Sequence, residues 1–208
     1  MLSIETVVIF FTTSVALALA PGPDNIFVLT QSALHGRKAG FLVTSGLCTG
    51  LLVHTAAVSL GVAVIFQTSA LAFNILKIGG AMYLLYLAWQ AFRVGAAKLN
   101  ETGQASINWR KLYSRGVIMN ITNPKVAIFF LAFLPQFADP SRGSITIQML
   151  MFGGLFIVAT LLIFGTIALS AGFLGEWLKE STKAQTVMNR VAGTVFMGLA
   201  LRLAMSDR

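Results

Sequence analysis

The chain has 208 residues, 56% hydrophobic and 11% charged, with a net charge of +8. Soluble domains carry about 25% charged residues. The mean hydropathy of +0.80, with several apolar runs beyond the ~18 residues that cross a bilayer as a helix, therefore points to an all-α integral membrane protein and excludes a soluble enzyme, a nucleic-acid binder and a disordered regulator.

Six apolar segments follow in chain order. The first, about Ile4 to Leu34, is interrupted by Pro21-Gly22-Pro23-Asp24-Asn25. Ala18-Leu19-Ala20 has the look of a signal-peptide cleavage site, but Glu5 stands where a basic n-region belongs and apolar character resumes at Ile26, so the segment is expected to stay. Pro21 and Pro23 remove two backbone donors and exclude a regular helix, and Gly22 between them widens the allowed backbone. Carbonyls from Val15 to Leu19 then need partners, which inside a membrane come only from protein or cavity water. Asp24 and Asn25 are expected to cap the resumed helix, whose free N–H groups and positive dipole end face the break. An acid at membrane depth costs ~2.5–3.5 kcal/mol on the lenient insertion scale, and an asparagine would have served as a cap. Asp24 is therefore read as functional and as the proton-coupling candidate. Gln31, seven residues on, is expected to share its face.

The second segment runs from Phe41 to Phe66 and the third from Ala70 to Phe92. In the second, Gly46 and Gly50 form a GxxxG pair suited to close helix packing. His54 reads as a hydrogen-bonded packing histidine before a proton carrier, and Cys48 is the sole cysteine, so no disulfide can form within the chain. Lys77 in the third segment is placed to snorkel, and Tyr83 and Tyr86 to pack.

The fourth segment, Leu112 to Leu134, is interrupted by Asn120-Ile121-Thr122-Asn123-Pro124-Lys125. Asn120 and Asn123 share a face before the break, and Lys125 lies too near the middle of the run to snorkel well. The fifth segment spans Ile145 to Ala171 and the sixth Val187 to Ala204. Between them Phe173 to Lys183 is either an interfacial helix lying flat or a solvated loop.

Ten of the fifteen basic residues lie in the first, third and fifth connectors, which puts those connectors in the cytoplasm and both termini outside. Trp89, Trp109 and Trp177 flank the same connectors, as an interfacial belt would. The chain is thus read as one transmembrane transporter domain over 1–208, with inverted-topology repeats at about 1–97 and 110–208. Its first and fourth helices are broken at corresponding places, which is the sequence sign of a transporter binding site. With Asp24 and Lys125 at equivalent positions of opposed halves, the two breaks are expected to meet near the midplane, where the charges compensate each other or a ligand's ammonium and carboxylate.

The motifs Ala20-Pro21-Gly22-Pro23-Asp24-Asn25 and Asn120-Ile121-Thr122-Asn123-Pro124-Lys125 resemble those of the LysE/RhtB family of amino-acid exporters, as do His35-Gly36-Arg37-Lys38-Ala39-Gly40 and Leu134-Pro135-Gln136-Phe137. The resemblance covers essentially the whole chain. It implies a proton-driven, homodimeric exporter of amino acids or close derivatives in the bacterial inner membrane, with no cofactor or enzymatic activity. The positions it carries over are Pro21, Gly22, Pro23, Asp24, Asn25, Asn123, Pro124 and Lys125. Two alternatives stand beside it. A divalent-metal exporter of similar architecture would want more acids, His or Cys at depth than Asp24 and His54. A membrane enzyme or assembly subunit would have only Asp24, Lys125 and His54 for chemistry.

Overall fold

The computed structural model describes residues 2–62, 70–93, 108–180 and 182–205. Among these there is no strand. The second connector, Gln67 to Ser69, and the third as far as Ile107 lie outside the described residues, and so does the Trp177 side chain.

α1 (Ile4–Leu19) starts where the Ser3 hydroxyl accepts from Thr6 N at 3.2 Å, with Glu5 in the positive first turn. It stops because the residue before Pro21 is driven out of helical geometry; Ala20 sits at φ −57°, ψ 122°. α2 (Pro23–His35) then resumes with Pro23 at its first position and ends at Gly36, whose φ of 78° favours glycine. α3 (Arg37–Ala57) follows at once and runs on through a π-helical turn, Val58–Val62.

α4 is Ala70–Arg93 and α5 is Trp109–Ile121, the latter capped by Asn108 accepting from Lys111 N at 3.1 Å. α6 (Pro124–Ile128) continues through a π turn, Phe129–Phe133, and a 3-10 turn, Leu134–Phe137. α7 (Ile145–Glu180) is a single helix of 36 residues, so the stretch from Phe173 is neither a loop nor a separate flat helix. The sequence there contains no proline to end it. α8 is Thr182–Met205.

Three stretches are long and apolar enough to cross a bilayer unbroken: Arg37–Gly61, Asn74–Arg93 and Ile145–Ser170. Two more qualify as pairs, α1 with α2, bent by 61°, and α5 with α6 and its extension, bent by 46°. That makes three spans, or five with each pair counted as one, where six were expected; α8 is the helix at the sixth place. α3 lies against α2, α5 and α7, α4 against α8, and both α1 and α2 against α7. Large apolar side chains point outward along these helices, with Ile4 79% and Leu71 72% exposed, as lipid-facing positions would be.

The interior is aromatic. Phe10, Phe129, Phe130, Phe133, Phe137, Phe152 and Phe156 are buried, and adjoining rings lie between 4.7 Å (Phe10–Phe152) and 6.2 Å (Phe129–Phe130) apart, most of them tilted or edge-on. His54 caps one end of this chain of rings, 5.6 Å from Phe130. The Arg202 guanidinium caps the other, 4.6 Å over Phe137.

Candidate functional site

The two helix breaks meet. Asn123 Nδ2 donates to Asp24 Oδ2 at 2.8 Å, linking residues 99 apart in sequence. Asp24 is 2% exposed, Asn123 3%, Asn120 2% and Lys125 7%.

At the first break α1 ends with open carbonyls, and side chains supply the donors. Lys125 Nζ donates to Ala20 O at 3.1 Å and to Leu17 O at 3.4 Å. Asn25 Nδ2 reaches back to Ala18 O at 2.7 Å. This corrects the capping expectation: the N-cap of α2 is Gly22, with no side-chain cap, because Pro23 takes the first helical position and moves Asp24 one residue inside. Asn25 serves the preceding helix and Asp24 the opposite break.

At the second break the chain supplies its own partners. Thr122 N and Oγ1 both donate to Ile118 O, at 2.9 and 2.8 Å. Asn123 N donates to Asn120 O, and Asn123 Oδ1 accepts from Lys125 N, both at 3.0 Å, so Asn123 is the cap of α6. His54 Nε2 lies 3.2 Å from the same Asn120 carbonyl; with a carbonyl as partner that nitrogen carries the proton. His54 is thus a hydrogen-bonded packing histidine, and its bond ties α3 to the second break.

Asp24 and Lys125 do not touch. Arg142 pairs with Asp139 at 3.0 Å, whereas Asp24 takes its hydrogen bond from the neutral Asn123, whose Oδ1 accepts from the Lys125 backbone N–H. Lys125 and Asn120 are nonetheless the polar neighbours of the Asp24 carboxyl, with His54 beyond. Three acceptors at the breaks, Asp24 Oδ1, Asn25 Oδ1 and Asn120 Oδ1, are buried and receive no hydrogen bond from the protein.

Close helix approach makes this possible. A methyl on Gly46 would fall 2.3 Å from the Tyr113 carbonyl oxygen, and one on Gly50 would fall 2.7 Å from Asn120 Cβ and Oδ1. The GxxxG pair thus seats α5 on α3 and sets Asn120 in place. Thr49 Oγ1 adds a 2.8 Å hydrogen bond to Tyr113 Oη. At the first break Gly22 leaves room for the lysine, since a methyl there would stand 3.1 Å from Lys125 Nζ.

Pro21 follows the end of α1, and Pro23 and Pro124 take the first positions of α2 and α6. Gln31 is half-buried two turns along α2 and does not join the hydrogen-bonded cluster. Sequence reasoning missed the carbonyls of Leu17, Ala18 and Ala20 as the targets of Asn25 and Lys125. The proline motif marks where such acceptors open but not which donor reaches them. Away from the breaks, Asp139 is held below its ordinary 3.8 by the Ser141 hydroxyl and N–H, at 2.6 and 2.9 Å, with Arg142 beside it.

The model of the family "LysE type translocator" matches residues 15–207. A homoserine/homoserine lactone efflux protein of Salmonella typhimurium is 35% identical over 196 residues, which is 94% of each chain. Its counterpart in Salmonella typhi is 34% identical over the same share. An uncharacterized membrane protein of Vibrio cholerae is 33% identical, again over 94% of each chain. No solved structure matches this chain.

Proposed function

The chain belongs to the LysE type translocator family, a family of transporters and not of enzymes, and from that premise we propose that it exports homoserine and its lactone from the cytoplasm. It does so as six membrane-crossing helices in two inverted halves, by alternating access about the two breaks and with Asp24 carrying the coupled proton. Arrangement supports the halves. Each broken helix packs on the first unbroken helix of the other half, α5 on α3 and α1 with α2 on α7. α3 meets its counterpart α7, and α4 meets its counterpart α8. An exchange of halves maps these contacts onto one another. Both termini then lie outside, with the basic ends of α3 and α5 in the cytoplasm.

The observation that carries the reading is the Asn123–Asp24 hydrogen bond, which joins the breaks around buried acceptors. An α-ammonium brings three donors and a positive charge, which suits a buried carboxylate and the two amide oxygens beside it. Lys125 is occupied on carbonyls, so the central site recognises the ammonium and leaves the carboxylate end largely unread. Homoserine has a carboxylate and its lactone does not; the ammonium is what they share. The substrates named for the Salmonella relatives fit that selectivity.

The test is efflux from proteoliposomes loaded with labelled homoserine under an imposed pH gradient, with wild type beside Asp24→Asn. The amide keeps an acceptor for Asn123 but cannot take up and release a proton. Gradient-driven release should fall at least tenfold in the variant. Full gradient coupling in Asp24→Asn removes the proton from Asp24, and a folded wild type that releases neither homoserine nor lactone removes the export reading.

A further inference from the structure

A second polar cleft, of about 350 Å³, opens where the extension of α6 ends and α7 begins, between the first turns of α1 and the last turn of α8. Its charged lining is Glu5, Asp139, Arg142 and Arg202. Asp139 and Arg142 are spoken for: the carboxylate takes Arg142 Nε at 3.0 Å and the Ser141 N–H and hydroxyl. Gln148, buried on the cleft wall, pins the same turn, donating to Asp139 O at 2.8 Å and accepting from Asp139 N at 3.0 Å. Glu5 and Arg202 differ. Each is exposed into the cleft, and neither forms an ion pair among the described residues.

Arg202 is positioned all the same. Its guanidinium lies 4.6 Å over the Phe137 ring, and Phe137 is the last member of the aromatic chain that runs from His54 at the central site. The rings therefore separate two polar regions. On one side is the acceptor-rich site at the breaks. On the other is a cleft with one free acid and one free, forked cation, the pair that would meet the ammonium and the carboxylate of an amino acid.

We propose that this cleft is a second, exit-side substrate site, in which Arg202 takes the carboxylate and Glu5 the ammonium of a zwitterionic amino acid. The proposal rests on the export reading above and deepens it. The central site reads the ammonium alone, whereas the exit site distinguishes a free carboxylate from its lactone. An amino acid held there delays re-closure of the aromatic layer behind it, so external homoserine competes with outward passage more strongly than external lactone.

The experiment uses right-side-out membrane vesicles carrying the full chain and loaded with labelled homoserine. Efflux is followed while unlabelled homoserine or homoserine lactone is raised outside. Arg202→Gln should raise the half-inhibiting concentration of homoserine about fivefold, the upper end for a solvent-exposed ion contact, and leave that of the lactone in place. Glu5→Gln should raise both. Arg202→Lys should restore much of the homoserine response, because the charge remains. Equal shifts of the two half-inhibiting concentrations in Arg202→Gln, or no shift in either, overturn the exit site while wild-type release still supports export. Wild-type vesicles that release no homoserine overturn both readings. Should Arg202→Gln fail to fold, the Glu5→Gln result decides: an unmoved pair of curves there also overturns the exit site.

Discussion

The two breaks hold corresponding places in the chain, yet they are built to opposite plans. The first, Pro-Gly-Pro, strips donors from the backbone and returns only one: its carbonyls at Leu17, Ala18 and Ala20 are satisfied by side chains, one by its own Asn25 and two by a lysine from the second break. The second holds one proline and is closed by its own residues, Thr122 and Asn123, with His54 added from α3. One break is a debtor in hydrogen bonds and the other has a surplus. The difference shows how the two breaks become mutually dependent without a direct ion pair.

Removing the donor should hurt most. Lys125→Met leaves the carbonyls of Leu17 and Ala20 buried without partners, at roughly 1–3 kcal/mol each, and leaves Asp24 without its neighbouring cation. Export should vanish and the thermal midpoint in detergent should drop sharply, with damage centred on the first break. Hydrogen exchange that instead opens α5 and α6 ahead of α1 and α2 would break the comparison.

Two glycines sharpen it at intermediate scale. Gly50→Ala drives a methyl into Asn120 Cβ at the end of α5, a contact between packed helices that cannot give, and should cost about 1–3 kcal/mol. Gly22→Ala meets only the tip of a flexible lysine at 3.1 Å and adopts an ordinary extended backbone, with φ at −168°. It should cost well under ~1 kcal/mol, since a long side chain adjusts by rotamer changes. Equal losses in thermal unfolding would mean that the first break is as rigid as the second.

The smallest expected effect concerns acids. Asp139 has a depressed folded pKa, so its contribution is fully present above the ordinary 3.8 and is lost only as pH falls through the lower folded value. Asp139→Asn should therefore leave the shape of the pH profile of efflux unchanged at all pH above 3.8, while Asp24→Asn flattens it. A profile that moves with Asp139 would relocate the coupling.

Much of this was legible in the sequence, and for a physical reason. Polar residues in an apolar run are costly, so Asp24, Asn120, Asn123 and Lys125 stood out wherever they were to end up. Proline fixes where a helix stops, so both bends were legible too. Partner choice was not. That Lys125 serves carbonyls and not Asp24 depends on how far α5 sinks onto α3, which is set by the Gly46–Tyr113 and Gly50–Asn120 approaches and not by spacing within a motif. Gln31 shares a helix face with Asp24 but sits two turns along α2, outside the hydrogen-bonded cluster. The cleft at Glu5, Phe137 and Arg202 left no local signature, since it is assembled from three distant parts of the chain.

The Asn123 amide on Asp24 also bears on the speed of the proposed alternating access. A hydrogen bond to a charged group contributes about 1.5–3 kcal/mol, so parting Asn123 from Asp24 slows opening by roughly ten- to a hundredfold. Breaking a buried ion pair costs about 3–5 kcal/mol, and the corresponding delay reaches several thousandfold. If the proposed alternating access parts the two breaks, the Asn123–Asp24 bond is a light latch, released within a turnover. A chain with Asn123 replaced so that the two charges met would bind itself in place of its cargo.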